Sequence, residues 1–337
     1  MRLDALRQLA RRRRLDQVLV CEPADVRAVT GVVCDNAVVT PDAFYTDFRY
    51  LPMVRRVLPG TKARDIRRLA EAMPRGIGCR IGYESSIPQS RFLALKKLAP
   101  RAKFVDIADD IAALRAVKTP DEIARVRAAE LLDCEIWEEA RSRFTAGMTE
   151  RDMARVIQSL MVMHGDGEAF PTIVCVGRNA AECHHEPDGT IWDGRSPVLV
   201  DMGVRLDGVC SDLTRNLVPR GASRRYREVY AIVLEANQAA IAAAKPGMTG
   251  RELDAVARKI IRRAGFGKLF GHSLGHGVGY EVHESPTASR RSRDVLKPGM
   301  LVTIEPGIYL EGELGVRIED LVLITEIGCE VLSNTDK

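Results

Sequence analysis

The sequence predicts an α/β (α+β) chain of two domains, 1–117 and 118–337, the second built twice from two helices followed by strands. Three observations predict this. The chain has 337 residues, more than one hydrophobic core usually serves. A strong helix start at Thr119 marks a change in the kind of sequence. Beyond it, Gly-Met-Thr-x-Arg occurs at 147–151 and again at 247–251.

Composition narrows the function. The apolar share of 46% and charged share of 28% are those of a globular protein in water. A net charge of +4 argues against a nucleic-acid role, and the run Arg11–Arg14 reads as the exposed face of an N-terminal helix. The first 20 residues are rich in charge and have no apolar stretch, so no secretory signal is expected. Nor does any uncharged apolar run approach the ~20 residues that a membrane span requires. The eight cysteines are scattered without a CxxC pair, as reduced buried thiols would be, so a cytoplasmic protein is expected.

In the first domain, QVLVCE at 17–22 reads as a strand, and NAVVT and AFYTDFRY as two more with a turn at Pro41-Asp42. Helices are expected near 62–73 and 88–98, with strands CRIGYE at 79–84 and FVDI at 104–107. Nothing there has the spacing of metal ligands or of a nucleophile with its base. At the boundary Thr119 suits an N-cap, Pro120 the first helical position and Glu122 the third, so a long helix should run to about Phe144. Thr149 and Thr249 suit further caps, and each of their helices follows another helical segment, 118–144 or 223–244. Strand-rich sequence comes after each pair, which points to an internal duplication with a cleft between the halves.

Those strands carry the chemistry. Segments 198–204 and 209–215 flank Arg205-Leu-Asp-Gly208, a hairpin signal. Asp201 and Asp212 are symmetric about a turn centred between Leu206 and Asp207, so they are expected to oppose each other with Cβ atoms ~4.5–5.5 Å apart. LVTIEPGIY and GVRIEDLVLI repeat the arrangement around Gly312, with Glu305 and Glu319 each seven residues away and Arg317 on the face of Glu319. Bare carboxylates in apolar strands are costly, and paired ones repel unless a cation or proton lies between them. The stretch GHSLGHGVGYEVHE at 271–284 lies between the pairs and holds His272, His276 and His283, half of the six histidines. Its glycines suit a backbone that passes close to something. Four carboxylates and an imidazole suit two divalent ions, Mn2+ favoured and Co2+ or Zn2+ as alternatives, over a thiolate zinc site.

The motifs VDMGVRLDGVCSDLTRN, GHSLGHGVGYEVHE, VTIEPGIY and GVRIEDLVLI, in this order and spacing, resemble the pita-bread metallopeptidases and among them the proline-specific prolidases (Xaa-Pro dipeptidases) and aminopeptidases P. TGVVCDNAVVT and YTDFRY resemble that family's creatinase/prolidase-like N-terminal domain. The resemblance implies Asp201, Asp212, His276, Glu305 and Glu319 as ligands of two metals, with Asp212 and Glu319 bridging. It implies His184, or in the next register His185, as a substrate-side histidine, His283 as a second one, and Arg317 as the arginine of the final glutamate motif. Glu305 is expected to move the proton, His283 to meet the carbonyl oxygen, His184 to hold the proline side, and Arg317 to orient Glu319 or substrate groups. Tyr280 stands where an aliphatic residue is common and Thr287 where many prolidases have arginine; Arg290, Arg291 and Arg293 follow it. His272 has no assigned role, and His164 reads as a surface residue at a helix end.

The expected activity is hydrolysis of Xaa-Pro bonds, dipeptides favoured, with an aminopeptidase P acting on longer Xaa-Pro peptides as the alternative. A partner- or ligand-binding member of the same fold is the alternative of another class. The resemblance also implies a homodimer.

Overall fold

The structure is a computed structural model that describes residues 2–337, and it divides into two compact units, 2–115 and 116–337. In the first unit the order is α1 (Leu3–Arg13), β1 (Gln17–Val18), α2 (Pro23–Thr30), β2 (Ala37–Val39), β3 (Ala43–Thr46), α3 (Leu51–Val57), β4 (Lys62–Asp65), β5 (Arg80–Tyr83), α4 (Gln89–Leu98), β6 (Lys103–Asp106) and α5 (Ala108–Ala116). Strands β1, β5 and β6 form a parallel sheet, while β3 pairs antiparallel with β2 and parallel with β4. Arg11 to Arg14 are exposed at the end of α1. The stretch 62–73, expected as a helix, begins instead as strand β4 alongside β3; only Ile66–Ala72 coils, as a 3-10 helix capped by Asp65. Parallel pairing with a distant strand overrides local helical preference there.

The second unit begins with α6 (Pro120–Arg143) and α7 (Glu150–His164), followed by β7 (Ile173–Val176), β8 (Val198–Met202), β9 (Arg205–Leu206), β10 (Val209–Cys210) and β11 (Leu213–Leu217). It continues with α8 (Arg224–Ala243), α9 (Gly250–Arg263), β12 (Gly275–Gly277), β13 (Glu284–Ala288), β14 (Leu301–Ile304), β15 (Gly307–Leu310), β16 (Leu314–Arg317), β17 (Asp320–Ile324) and β18 (Cys329–Val331). Thr119, Thr149 and Thr249 each cap a helix in a reciprocal box with Glu122, Asp152 and Glu252.

The duplication extends to individual hydrogen bonds. Gly147 N–H donates to the Trp192 carbonyl and Trp192 N–H to that of Met148, while Glu150 N–H donates to Thr190. In the other half Gly247 donates to Leu296, Leu296 to Met248, and Gly250 to Asp294. Each half has its own apolar core, one around Trp137, Ile157 and Val200, the other around Val233, Leu253 and Val302. Buried polar side chains join them: Asn216 Nδ2 donates to the Arg317 carbonyl at 2.6 Å, and Arg215 pairs with Asp320 at 3.0 Å.

Candidate metal centre

Two hairpins deliver the acidic residues, in different registers. Strand β8 pairs antiparallel with β11 so that Asp201 opposes Thr214, and β9 pairs with β10 so that Leu206 opposes Val209. The turn is therefore the two-residue loop Asp207-Gly208, with φ of 48° and 65°, as a tight hairpin of the mirror-image type needs. The expected turn centre lay one residue too early, and Asp201 does not directly oppose Asp212. Instead Asp212 precedes Thr214 by two residues and comes to Asp201 from the diagonal position. In the second hairpin Ile304 opposes Asp320 and Gly307 opposes Arg317, which leaves Glu305 level with Glu319 between the two ladders, in the expected register.

His276 is delivered by β12, which lies against β14; a Cβ on Gly275 would stand 1.8 Å from the Thr303 carbonyl oxygen, so only glycine fits this approach. The His276 Nδ1 lies 3.1 Å from the Gly277 carbonyl, which can only accept, so Nδ1 carries the proton. Its Nε2 faces Asp212 Oδ2 at 3.5 Å and Glu305 Oε1 at 3.3 Å. Ligand atoms of Asp212, His276 and Glu319 all lie within 4.8 Å of one another. Thr303 Oγ1 accepts the His276 N–H at 3.1 Å and reaches Glu305 Oε1 at 3.3 Å.

Arg317, buried at 2% exposure, fixes the other side of the site. Its Nη2 donates to Asp201 Oδ2 at 2.6 Å, its Nη1 to the Tyr309 hydroxyl at 2.9 Å, and its Nε to Thr214 Oγ1 at 3.2 Å. Thr214 in turn donates to Glu319 Oε2 at 2.7 Å, so the expected link from Arg317 to Glu319 runs through a threonine and the direct partner is Asp201. Tyr309 also explains His272: the imidazole Nδ1 donates to Ser273 O at 2.8 Å and Nε2 takes the Tyr309 O–H at 2.9 Å. Tyr309 and Thr214 were not singled out from sequence, although both stand inside the motifs already quoted. Behind the site, α6 turns Glu130 to the Asp212 N–H at 3.2 Å and Asp133 to Ser211 at 2.8 Å.

Electrostatics separates the acids. Burial, then repulsion from Glu319, Asp201 and Glu305, pushes the Asp212 carboxyl well above the usual range. Burial, then Glu305 and Asp201, does the same to Glu319. Burial acts on Glu305 too, but the hydrogen bond and charge of His276 outweigh it and hold Glu305 below the usual range. Asp201 Oδ1 is buried with no hydrogen-bond partner. An orphaned carboxylate oxygen, two acids lifted by burial and mutual repulsion, and an imidazole nitrogen aimed at them fit divalent cations.

Of the histidines expected on the substrate side, His283 lies beside the site. The His283 ring is 4.3 Å from that of His276, and His184 is exposed and acts electrostatically on His283. Desolvation, then the charge of His276, holds His283 below the usual imidazole range. His185, the other register, is paired with Glu150 at 2.8 Å. Thr287 is exposed, with its N–H and hydroxyl both on Asp294 Oδ2 at 2.8 and 3.1 Å. Arg290, Arg291 and Arg293 are exposed, and His164 is an exposed helix end.

Residues 124–326 match metallopeptidase family M24, and residues 2–117 match the creatinase/prolidase N-terminal domain. An Xaa-Pro dipeptidase of Pyrococcus furiosus is 41% identical over 259 residues, 76% of this chain and 74% of the relative. Among solved structures, an Xaa-Pro dipeptidase from Bacillus anthracis is 31% identical with a TM-score of 0.93, covering 100% of this chain and 98% of the other. An X-Pro aminopeptidase from Thermotoga maritima is 30% identical with a TM-score of 0.88, covering 99% and 98%.

Proposed function

Because this chain belongs to metallopeptidase family M24, we propose that it is a dinuclear metallo-exopeptidase that hydrolyses Xaa-Pro bonds, with Xaa-Pro dipeptides its favoured substrates. The observation that carries the reading is the convergence of carboxylates from both hairpins on the Nε2 of His276, with Asp201 Oδ1 left buried and unpartnered. Asp201, Asp212, His276, Glu305 and Glu319 would hold the two ions, with Mn2+ the favoured metal. When bound, the ions supply a water of lowered pKa and positive charge for the developing oxyanion.

The remaining steps belong to the chain itself. Glu305, ionised, takes the proton of the attacking water and passes it to the proline nitrogen as the C–N bond breaks. His283, neutral, donates a hydrogen bond to the carbonyl oxygen as charge builds on it. His184 holds the substrate on the proline side. Arg317 keeps the Asp201 carboxylate in one orientation and, through Thr214, that of Glu319. The bond before proline has no N–H, so a site shaped around the ring excludes ordinary peptides by fit.

Among the described residues no helix is long and apolar enough to cross a membrane, and the eight cysteines form no disulfide. A homodimer in the cytoplasm is part of the same reading. The deciding experiment measures metal content and compares Xaa-Pro dipeptides with Xaa-Pro-Yaa peptides in Mn2+. Two divalent ions per chain and faster turnover of the dipeptide are expected. Faster turnover of the longer peptide would shift the reading to an aminopeptidase P. No hydrolysis of either by metal-loaded protein would overturn it, and a monomer by sedimentation would remove the dimer.

A further inference from the structure

Outside the metal centre, Glu150, His185 and Asp188 bring three ligand-type atoms within 4.8 Å of one another. This is not a second cation site. Glu150 is fully buried, and each of its oxygens already takes two donors: Oε1 the Val176 N–H at 2.6 Å and Asn179 Nδ2 at 2.9 Å, Oε2 the Asp188 N–H at 3.0 Å and His185 Nε2 at 2.8 Å. A carboxylate with four donors has no oxygen lone pair left to offer an ion.

What this arrangement does is hold a loop. Val176, Asn179, His185 and Asp188 span the whole segment between β7 and the Thr190 contact, and all four meet the first residue of α7. His185 has a carboxylate at each nitrogen, since Nδ1 faces Glu182 at 3.3 Å, so both nitrogens donate. Its immediate neighbour is His184. The other side of the segment is pressed onto β16, where a Cβ on Gly315 would stand 1.7 Å from the Ala180 carbonyl, and Arg317 Nη1 donates to the Cys183 carbonyl at 3.3 Å.

We propose that Glu150 and His185 are positioning residues, a buried ion pair that holds His184 toward the substrate. The inference rests on the reading of His184 as a substrate-side residue. It is tested in the metal-loaded enzyme with His184→Ala, His185→Ala, the double variant and His185→Gln, recording kcat, KM and metal content for an Xaa-Pro dipeptide. His185→Ala should raise KM about tenfold, the low end of what an outer partner contributes, with kcat and metal content near those of the parent. His185→Gln, which can still offer an N–H to Glu150, should recover part of that loss. In the His184→Ala background, removal of His185 should add nothing further, because its action passes through His184.

An unchanged KM in folded His185→Ala, or additive effects in the double variant, overturns the proposal. If His184→Ala itself leaves KM unchanged, the role of His184 fails and the proposal falls with it. Absence of peptidase activity in the parent would instead mark failure of the functional reading.

Discussion

The two halves of the second unit begin alike and diverge at one residue. Both start a helix behind Gly-Met-Thr with the same cap and the same backbone hydrogen bonds, yet the first helical position is Glu150 in one and Gly250 in the other. In the first half the Glu150 carboxylate gathers the loop that carries His184. In the second there is no room for a side chain, since a Cβ on Gly250 would stand 1.9 Å from the Thr287 carbonyl; there the His283 loop packs backbone to backbone and is held by the buried Lys118–Glu284 pair at 2.7 Å. The hairpins differ in the same way. The first offers only acids, set diagonally; the second offers directly opposed acids, one held ionised by His276. The halves share a framework but not the chemistry it carries.

The largest expected effect tests whether the halves contribute equally at the centre. Asp212→Asn in the first and Glu319→Gln in the second should each lower kcat/KM by more than the ~100-fold that an outer partner can cost, and each should lower metal content. Full metal content in either variant would show that the ions depend on one half.

Next in size is the effect of removing metal. Without ions, Asp212 and Glu319 have carboxyls raised above their unfolded values, so the stability they contribute is present at low pH and lost as pH rises. Glu305 acts in the opposite sense, but it is one group against two. Chelated protein should therefore lose stability as pH rises above the ~4 at which unfolded carboxyls ionise, and readdition of Mn2+ at ~100 times its Kd should return about 2.7 kcal/mol. A chelated protein that gains stability over that range would contradict the assigned burial of these acids.

Much of this was legible in the sequence where signals are local. The capping threonines, the Gly-Met-Thr repeat and the symmetric spacing of Glu305 and Glu319 about Gly312 needed only neighbouring residues. The first hairpin was misjudged because Arg205-Leu-Asp-Gly208 admits two turn centres, and positive φ at both Asp207 and Gly208 decides between them. Strand β4 was read as helix because its partner β3 lies in a separate stretch of sequence. The partners of Arg317 and Glu150 were out of reach for the same reason: Asp201 is 116 residues from Arg317, and His185 is 35 from Glu150. Register and charge pairing across such separations come from packing, which local pattern does not encode.

The smallest expected effect asks whether the halves unfold together. The only two tryptophans, Trp137 and Trp192, are both buried in the core of the first half, so tryptophan fluorescence reports that half alone. Thr249 caps a helix of the other half, with its hydroxyl on the Glu252 N–H at 3.2 Å. Thr249→Ala should cost about 1 kcal/mol, typical for loss of an N-cap. Were the cores independent, that loss would leave the fluorescence midpoint in urea untouched. But Asn216 is bonded to the Arg317 carbonyl, Arg215 is paired with Asp320, and the Tyr226 hydroxyl of α8 donates to Asn216 Oδ1 at 3.0 Å, all of them buried. Opening one half would strand these groups without partners in the other, at roughly 1–3 kcal/mol for each unsatisfied group. The fluorescence midpoint should therefore move with Thr249→Ala by the same free energy that circular dichroism records, and Thr149→Ala combined with it should add to within ~0.5 kcal/mol. A fluorescence transition unmoved by Thr249→Ala would mean that the two cores unfold separately.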